Sequence, residues 1–229
     1  MTVKLTGPRR DPRGAATKQL VVFLHGYGAD GEDLIALGDQ WRGLLPNASF
    51  VSPHAPERCS GSPTGRQWFA LSTTEPEDPR GADERWKGVV SAQPSIDAFL
   101  DEELARLGLD ESRLALVGFS QGAMMALHVG LRRKRAPAAI IGYSGLLVGP
   151  DHLGEAGAAR GEHAPILLVH GDQDPVIPLE AMFIAMNDLA KAEIPSQWHL
   201  SFGIGHGIDG GGLRHGGLFL AQAFGVRAR

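Results

Sequence analysis

The fold is decided by residues 114–127, whose sequence is LALVGFSQGAMMAL. The apolar run at 114–117 predicts a strand buried on both faces, and residues 123–127 predict a helix that follows it closely. Between them, residues 118–122 fit the pattern G-x-S-x-G, which places Ser120 on a sharp, strained strand-to-helix turn. The pattern is weak by itself in a chain with 31 glycines, so its position between a strand and a helix gives it its weight.

Ser120 is therefore the predicted nucleophile. Gly118 and Gly122 lack a Cβ, so neighbouring backbone can pack closely around the turn. The helix that follows directs its positive N-terminal end at the serine, which favours an oxyanion formed there. The alternative interpretation is a serine that only caps a helix after a glycine-rich turn.

Short apolar runs alternate with longer amphipathic segments on both sides of this motif. Strands are predicted at 19–24, 49–53, 113–117, 138–143, 165–170 and 197–202. Helices are predicted at 31–42, 89–107, 121–133 and 179–192, with a last one near 213–224. This alternation indicates an α/β fold, with a mostly parallel central sheet and helices on both faces. No shift in composition marks a boundary, so residues 1–229 are expected to form a single domain.

Three segments do not fit the alternation. Residues 55–85 and 146–164 are rich in Pro, Gly and polar residues, and loops of this length often shape binding sites, although plain flexible connections are the alternative. Residues 207–217 are rich in glycine, and each glycine inside a helix costs about 1 kcal/mol relative to alanine. We therefore expect the last helix to start late or to fray, which would make the preceding loop less rigid.

Composition excludes several classes of protein. Hydrophobic residues make up 43% of the chain and charged residues 21%, as in ordinary globular proteins. The net charge of −4 gives no basic footprint for nucleic acid, and the basic run at 132–135 is interpreted as the end of a helix. No apolar run approaches the ~20 residues of a membrane span, and residues 1–13 show no secretory signal. Cys59 is the only cysteine, so a cytoplasmic location is expected. The oligomeric state is left open, with a homodimer among the options.

A nucleophilic serine needs a base, and in this strand–turn–helix arrangement the partners follow in the order Ser, acid, His. The strand at 165–170 is followed by both Asp172 and Asp174, and local physics does not decide between them. Asp172 could instead brace the turn through backbone N–H groups. His206 lies among glycines after the last strand and is the predicted base, whereas His199 and His215 lie within a predicted strand and helix.

Five stretches carry a resemblance to a known family: 23–31 (FLHGYGADG), 66–69 (RQWF), 118–122 (GFSQG), 170–178 (HGDQDPVIP) and 205–206 (GH). On these the chain resembles the bacterial carboxylesterase/phospholipase family, whose eukaryotic relatives include the acyl-protein thioesterases. The resemblance covers nearly the whole chain, and it implies the α/β-hydrolase fold.

The resemblance also implies roles for individual residues. It assigns the acid to Asp174 and the oxyanion hole to the backbone N–H groups of Gln121 and Tyr27. It places Trp68 and Phe69 near the acyl site, and Leu146, at the start of the second long segment, is expected to join them in binding substrate. The alternative is that these apolar residues cover the edge of the core. His25 is interpreted as structural rather than catalytic.

The predicted function is a serine carboxylesterase that hydrolyses small-molecule esters of short to medium chain length through an acyl-enzyme. This chemistry requires no metal and no organic cofactor. A lysophospholipase or an acyl thioesterase is the nearest alternative. From a different class, the chain could be a non-catalytic α/β-hydrolase relative that binds a ligand, although such proteins usually lack one member of the triad.

Overall fold

A computed structural model of the protein describes residues 2–14, 16–59, 62, 64–71, 79–155 and 163–226. The strands are β1 (Arg9–Arg10), β2 (Gln19–Leu24), β3 (Ala48–Val51), β4 (Glu57–Arg58), β5 (Arg66–Gln67), β6 (Leu114–Phe119), β7 (Ala139–Tyr143), β8 (Ile166–Gly171) and β9 (Ser196–Ser201). The α-helices are α1 (Gly31–Trp41), α2 (Pro79–Leu107), α3 (Gln121–Arg132), α4 (Glu180–Lys191) and α5 (Gly210–Ala223). Glu111–Arg113 and Pro150–Glu155 form short 3-10 helices.

The central sheet has the strand order β1-β3-β2-β6-β7-β8-β9. Every pair in it is parallel except β1 with β3, which is antiparallel. Strands β2, β7 and β8 are buried at every position, which explains why they are continuous apolar runs in the sequence. The predicted, mostly parallel sheet is confirmed.

Helices cover both faces of this sheet, as predicted. Alternate residues of β2 point to opposite faces, so Val21 and Phe23 join one core cluster and Leu20, Val22 and Leu24 join the other. The first cluster is completed by α1 and α5, and the second by α2, α3 and α4. The sheet therefore separates two apolar cores.

Regular structure is present in both of the long segments where the sequence predicted irregular structure. Strands β4 and β5 pair as a short antiparallel hairpin, and α2 starts at Pro79 rather than at residue 89. The first turns of α2 are polar, so they carry no apolar period that could reveal a helix. The second long segment contains the 3-10 helix at Pro150–Glu155. The parts of these segments at 72–78 and 156–162 lie outside the described residues.

The prediction that the last helix would start late is wrong. Helix α5 starts at Gly210, because the carboxylate of Asp209 caps it by accepting hydrogen bonds from the Gly211 and Gly212 N–H groups, at 2.9 Å each. The glycines also allow close packing against the sheet. A Cβ at Gly216 would lie 2.1 Å from the Tyr143 hydroxyl oxygen.

Candidate active site

Ser120 occupies the turn between β6 and α3 with φ 54° and ψ −118°. A non-glycine residue in this region of backbone space costs about 1–3 kcal/mol, so the surrounding structure must hold it there. Its N–H donates to the Tyr143 carbonyl of the neighbouring strand at 2.9 Å, and its carbonyl accepts from the Ala123 N–H at 3.0 Å. The serine is therefore fixed at the N-terminus of α3.

The glycines on either side of Ser120 are required by close backbone contacts. A Cβ at Gly118 would lie 2.1 Å from the Gly122 carbonyl oxygen, and one at Gly122 would lie 1.8 Å from the Leu24 carbonyl oxygen. Real Cβ atoms do not approach backbone so closely, so the G-x-S-x-G pattern is a packing requirement of this turn. The alternative interpretation, in which Ser120 only caps the helix, does not fit the structure, because the Ser120 side chain makes no capping hydrogen bond.

Asp174 and His206 form a hydrogen-bonded pair. The Nδ1 atom of His206 lies 2.8 Å from Oδ2 of Asp174, whose side chain has no exposed surface. An ionised carboxylate can only accept, so Nδ1 carries the proton, and Nε2 of the neutral ring is left to accept one. This is the arrangement that orients a general base.

The Asp174 carboxylate is held in its charged form. Burial opposes ionisation, but hydrogen bonds from the Ile177 N–H, from His206 and from the Val176 N–H outweigh it and lower the pKa of Asp174. The two backbone groups donate to Oδ1 at 2.9 and 2.8 Å, which leaves Oδ2 for His206. Asp174 therefore stays ionised when the imidazole beside it gains a proton.

Asp172, the competing acid, has a different partner. Its Oδ1 accepts a hydrogen bond from the Gly203 N–H at 2.6 Å, at the start of the loop that carries His206. The same loop is tied to the end of β8 by the Gln173 N–H, which donates to the Ile204 carbonyl at 3.0 Å. Asp172 thus braces the histidine loop. The loop ends at Asp209, which caps the N-terminus of α5. It therefore has more anchoring contacts than its glycine content suggested.

His170 lies beside Asp174, and the sequence analysis did not single it out. Its Nε2 donates to the Ile177 carbonyl at 2.8 Å and lies 3.4 Å from Oδ2 of Asp174. His170 bridges the two ends of the segment that carries Asp174. The signal in the sequence was its place at the end of a buried strand, where a polar residue needs a partner.

Ser120 and His206 line one cavity of about 220 Å³, which we call the Ser120 cavity. Its remaining lining residues are Tyr27, Leu71, Arg85, Gln121, Met124, Leu146, Val176 and Ile177. Four of the residues predicted for the site, Tyr27, Gln121, Leu146 and His206, are thus brought together around Ser120. A second cavity of about 230 Å³, the α4 cavity, shares Arg85 and Leu146 with the first and extends along α4.

Trp68 and Phe69 do not line the Ser120 cavity, although they were expected to bind substrate. They are only 2% and 4% exposed. The indole N–H of Trp68 donates to the His25 carbonyl at 2.8 Å, and Phe69 packs against Gly88 of α2. Apolar residues in a polar segment can fold onto a ligand or onto the core, and here they join the core.

His25 is buried and neutral, as its structural interpretation implied. Its Nε2 accepts from the Ala55 N–H at 3.0 Å and its Nδ1 donates to the Gly26 carbonyl at 2.9 Å. Burial lowers the pKa of His25 to about 4. His25 therefore ties the Tyr27 loop to the segment after β3.

Neither a metal cluster nor a membrane helix is present in the described parts of the chain. No three His, Cys, Asp or Glu side chains in those parts are grouped so as to hold a metal ion. Likewise, none of the helices described is both long and apolar enough to cross a membrane.

A serine on a strained turn between a parallel strand and a helix, followed in chain order by an acid and a histidine after later strands, defines the α/β-hydrolase class.

The comparisons with known proteins identify the family. Residues 11–222 match the family model described as phospholipase/carboxylesterase, and the chain belongs to that family. It is 30% identical over 184 residues to acyl-protein thioesterase 1 of Schizosaccharomyces pombe, covering 78% of either chain. It is 29% identical over 194 residues to esterase YpfH of Escherichia coli, covering 84% of this chain and 77% of that one. The predicted family resemblance and the predicted class of enzyme, a serine hydrolase of carboxylic esters, are confirmed.

Solved structures agree with this assignment. The crystal structure of esterase PE8 superposes with a TM-score of 0.88 at 44% identity, covering 96% of this chain and 100% of that one. Arabidopsis thaliana SOBER1 superposes with a TM-score of 0.75 at 23% identity, covering 90% of this chain and 98% of that one, which supports the fold alone. The predicted α/β-hydrolase fold is confirmed.

Proposed function

We propose that this protein hydrolyses carboxylic esters of short to medium acyl length through an acyl-enzyme on Ser120. His206 is the proposed base, Asp174 the acid that orients it, and the N–H groups of Tyr27 and Gln121 the oxyanion hole. The observation that carries the proposal is the joint placement of a strained Ser120 and an Asp174-bound His206 on one cavity.

In the acylation step, Nε2 of His206 takes the proton of the Ser120 hydroxyl while Oγ attacks the ester carbonyl carbon. The tetrahedral intermediate carries a negative charge on the former carbonyl oxygen. Gln121 is the first residue of α3, so its N–H has no acceptor within the helix and is available to that oxyanion. The C–O bond then breaks, and His206 returns the proton to the leaving alkoxide.

In the deacylation step, His206 takes a proton from water, which attacks the acyl carbonyl and releases the carboxylic acid and Ser120. The imidazolium formed in each step is stabilised by the buried Asp174 carboxylate, which remains charged because three hydrogen bonds lower its pKa despite burial. No cofactor enters either step.

The lining of the Ser120 cavity supports an apolar acyl group. Leu71, Met124, Leu146, Val176 and Ile177 contribute side chains to it, and the adjoining α4 cavity offers further apolar wall. Each methylene transferred from water to such a wall contributes at most about 0.8 kcal/mol. This corresponds to a gain of up to roughly fourfold in kcat/KM per methylene until the space is filled.

A series of p-nitrophenyl esters from acetate to dodecanoate tests the proposal. The value of kcat/KM is expected to rise from acetate to a short or medium chain and then to fall. Leu146→Ala should flatten the rise, whereas Leu218→Ala, which shortens a leucine 42% exposed on α5, should leave it unchanged. Ser120→Ala should remove nearly all turnover throughout. A steady decline from acetate in the wild type would contradict an apolar acyl site.

An acyl thioesterase is the second candidate, because the chain is 30% identical to a protein named acyl-protein thioesterase 1. The same acyl-enzyme serves both substrates, since only the leaving group differs. Matched oxygen esters and thioesters of one acyl group separate the two. The two are compared by kcat/KM, which reports acylation, because kcat is the same for both wherever deacylation of the shared acyl-enzyme limits the rate. A lysophospholipid assayed beside them tests the third substrate class.

The remaining alternative is an α/β-hydrolase relative that binds a ligand without turnover. The presence of all three triad residues in one arrangement argues against it. Absence of any burst or turnover with activated esters, in protein that is folded and binds them, would favour it. We include a cytoplasmic location in the proposal because Cys59, the single cysteine of the sequence, allows no intrachain disulfide, as is common in proteins of reducing compartments.

A further inference from the structure

The side chain of Gln121 makes two buried hydrogen bonds to one backbone segment. Its Oε1 accepts from the Trp68 N–H at 2.9 Å, and its Nε2 donates to the Phe69 carbonyl at 2.8 Å. The residue is 1% exposed. Both ends of the amide are used, so only a side chain that can accept and donate at this length satisfies the segment.

The same segment is bonded to the loop that contains Tyr27. The indole N–H of Trp68 donates to the His25 carbonyl at 2.8 Å, on one side of Tyr27. On the other side, the Gly28 N–H donates to the Arg66 carbonyl at 2.9 Å. The Arg66 N–H in turn donates to the Ala29 carbonyl at 2.8 Å. Residues 66–69 therefore hold both flanks of Tyr27 as well as the side chain of Gln121, and we call them the clamp segment.

The clamp segment thus joins the two backbone positions proposed as oxyanion donors, which lie 94 positions apart in the chain and follow different strands, β2 and β6. A donor contributes to catalysis only when it lies about 2.7–3.1 Å from the oxyanion, so a small displacement of either loop weakens it. Hydrogen bonds in a dry interior resist such displacement, because a broken one leaves a buried polar group unsatisfied.

We propose that the side chains of Gln121 and Trp68 are positioning residues that set the spacing of the two oxyanion donors. The inference rests on the proposed function, which assigns those donors to the Tyr27 and Gln121 N–H groups. Trp68 acts without contacting substrate, since it does not line the Ser120 cavity. This gives a role to the tryptophan that the sequence had suggested for acyl binding.

The competing explanation is that both side chains only fill space and stabilise the fold. The two explanations differ in what a substitution changes. Loss of stability alone lowers the amount of folded protein and leaves kcat per folded molecule the same. A displaced donor weakens binding of the transition state more than binding of the substrate, so kcat falls while KM stays close to its wild-type value.

The test uses Gln121→Met, which keeps the length and loses both hydrogen bonds, and Trp68→Phe, which keeps the backbone N–H and loses the indole donor. Gln93→Met is the matched control, because Gln93 lies on α2 and bonds Asp97 of α2 and His128 of α3, and neither hydrogen bond involves the clamp segment. Each variant is assayed with a p-nitrophenyl ester and with a trifluoromethyl ketone, whose adduct places an oxyanion in the hole.

Gln121→Met is expected to lower kcat by about 10- to 100-fold, less than the 10²–10³-fold of a deleted donor, with KM within about threefold. Affinity for the ketone should fall in parallel. Trp68→Phe should show the same pattern to a smaller extent. The double variant should lose less than the product of the two single losses, because both act on one segment.

The inference is overturned if folded Gln121→Met and folded Trp68→Phe each keep kcat within about threefold of wild type. It is also overturned if Gln93→Met loses as much kcat as either variant does. If Gln121→Met does not fold, Trp68→Phe decides the question alone. Failure of the proposed function has a separate signature, since Ser120→Ala would then keep the turnover of the wild type.

Discussion

At the scale of single residues, the proposed site combines a serine on a strained turn with an acid whose neighbouring acid has a different hydrogen-bond partner. Ser120 is held at φ 54° by backbone contacts from two glycines and a neighbouring strand. Asp174 is buried and bonded to His206, whereas Asp172 bonds a backbone N–H at the base of the histidine loop. The two acids lie two positions apart after one strand, so their roles follow from their hydrogen-bond partners.

Asp174→Asn is expected to lower kcat by about 10⁴-fold, because an amide favours the tautomer of His206 that cannot accept the serine proton. Asp172→Asn keeps an oxygen for the Gly203 N–H, so it should retain most of kcat and lose some thermal stability. Steady-state kinetics and melting temperature of both purified variants check this. An inactive Asp172→Asn beside an active Asp174→Asn would show that the acid has been misassigned.

Sequence reasoning at this scale found the serine, the histidine and both candidate acids. It could not choose between the acids from local physics, because proline after Asp174 and glycine before Asp172 are compatible with either role. It also misplaced Trp68, since a sequence does not show towards which neighbour an apolar side chain turns. His170 went unnoticed because its partner, the Ile177 carbonyl, is a backbone group.

At the scale of elements, helix α5 shows how a glycine-rich segment becomes regular. The Asp209 carboxylate accepts from two N–H groups of the first turn and from the Ser201 hydroxyl at 2.5 Å. Gly216 then brings the helix against Tyr143 of β7, closer than any larger residue would permit. Helix propensity alone predicts that this glycine-rich segment frays. The stabilisation of α5 by its N-cap and by tight packing depends on contacts that the glycine content does not reveal.

Two glycines of α5 give a matched pair of substitutions. Gly216→Ala should destabilise the fold by about 1–3 kcal/mol, because its Cβ would lie 2.1 Å from the buried Tyr143 hydroxyl. A Cβ at Gly210 meets nothing within 4 Å, so Gly210→Ala should leave stability unchanged or raise it by up to about 1 kcal/mol. Urea unfolding of both variants measures this. Equal stabilisation by the two would mean that helix propensity, not packing, limits α5.

At the scale of the whole molecule, the site is a consequence of sheet topology. Tyr27, Ser120, Leu146, Asp174 and His206 follow β2, β6, β7, β8 and β9, which are neighbours in the sheet. Their carboxyl ends meet at one edge, where ligands bind in open α/β sheets. The residues come from distant parts of the chain, yet each is at most a few positions beyond its strand.

This topology explains why so much was predictable from the sequence. Five of the six longer strands are buried or nearly so, and β9, at the edge of the sheet, is partly exposed. All six were predicted from the sequence within a few residues of their bounds. The hairpin of β4 and β5 escaped prediction because its strands have two residues each and carry no alternating pattern. The clamp segment depends on that hairpin, so the contacts that join the two oxyanion loops could only be found in the structure.

The proposed role of Ser120 as the nucleophile of an acyl-enzyme can be measured by peptide-level mass spectrometry after inactivation by an alkyl fluorophosphonate. We expect one phosphonyl group per chain, located on Ser120, with activity lost in proportion to labelling. His206→Ala should label far more slowly, because the serine then lacks its base. An adduct on a different residue, or full activity in protein whose Ser120 is fully labelled, would show that Ser120 is not the nucleophile.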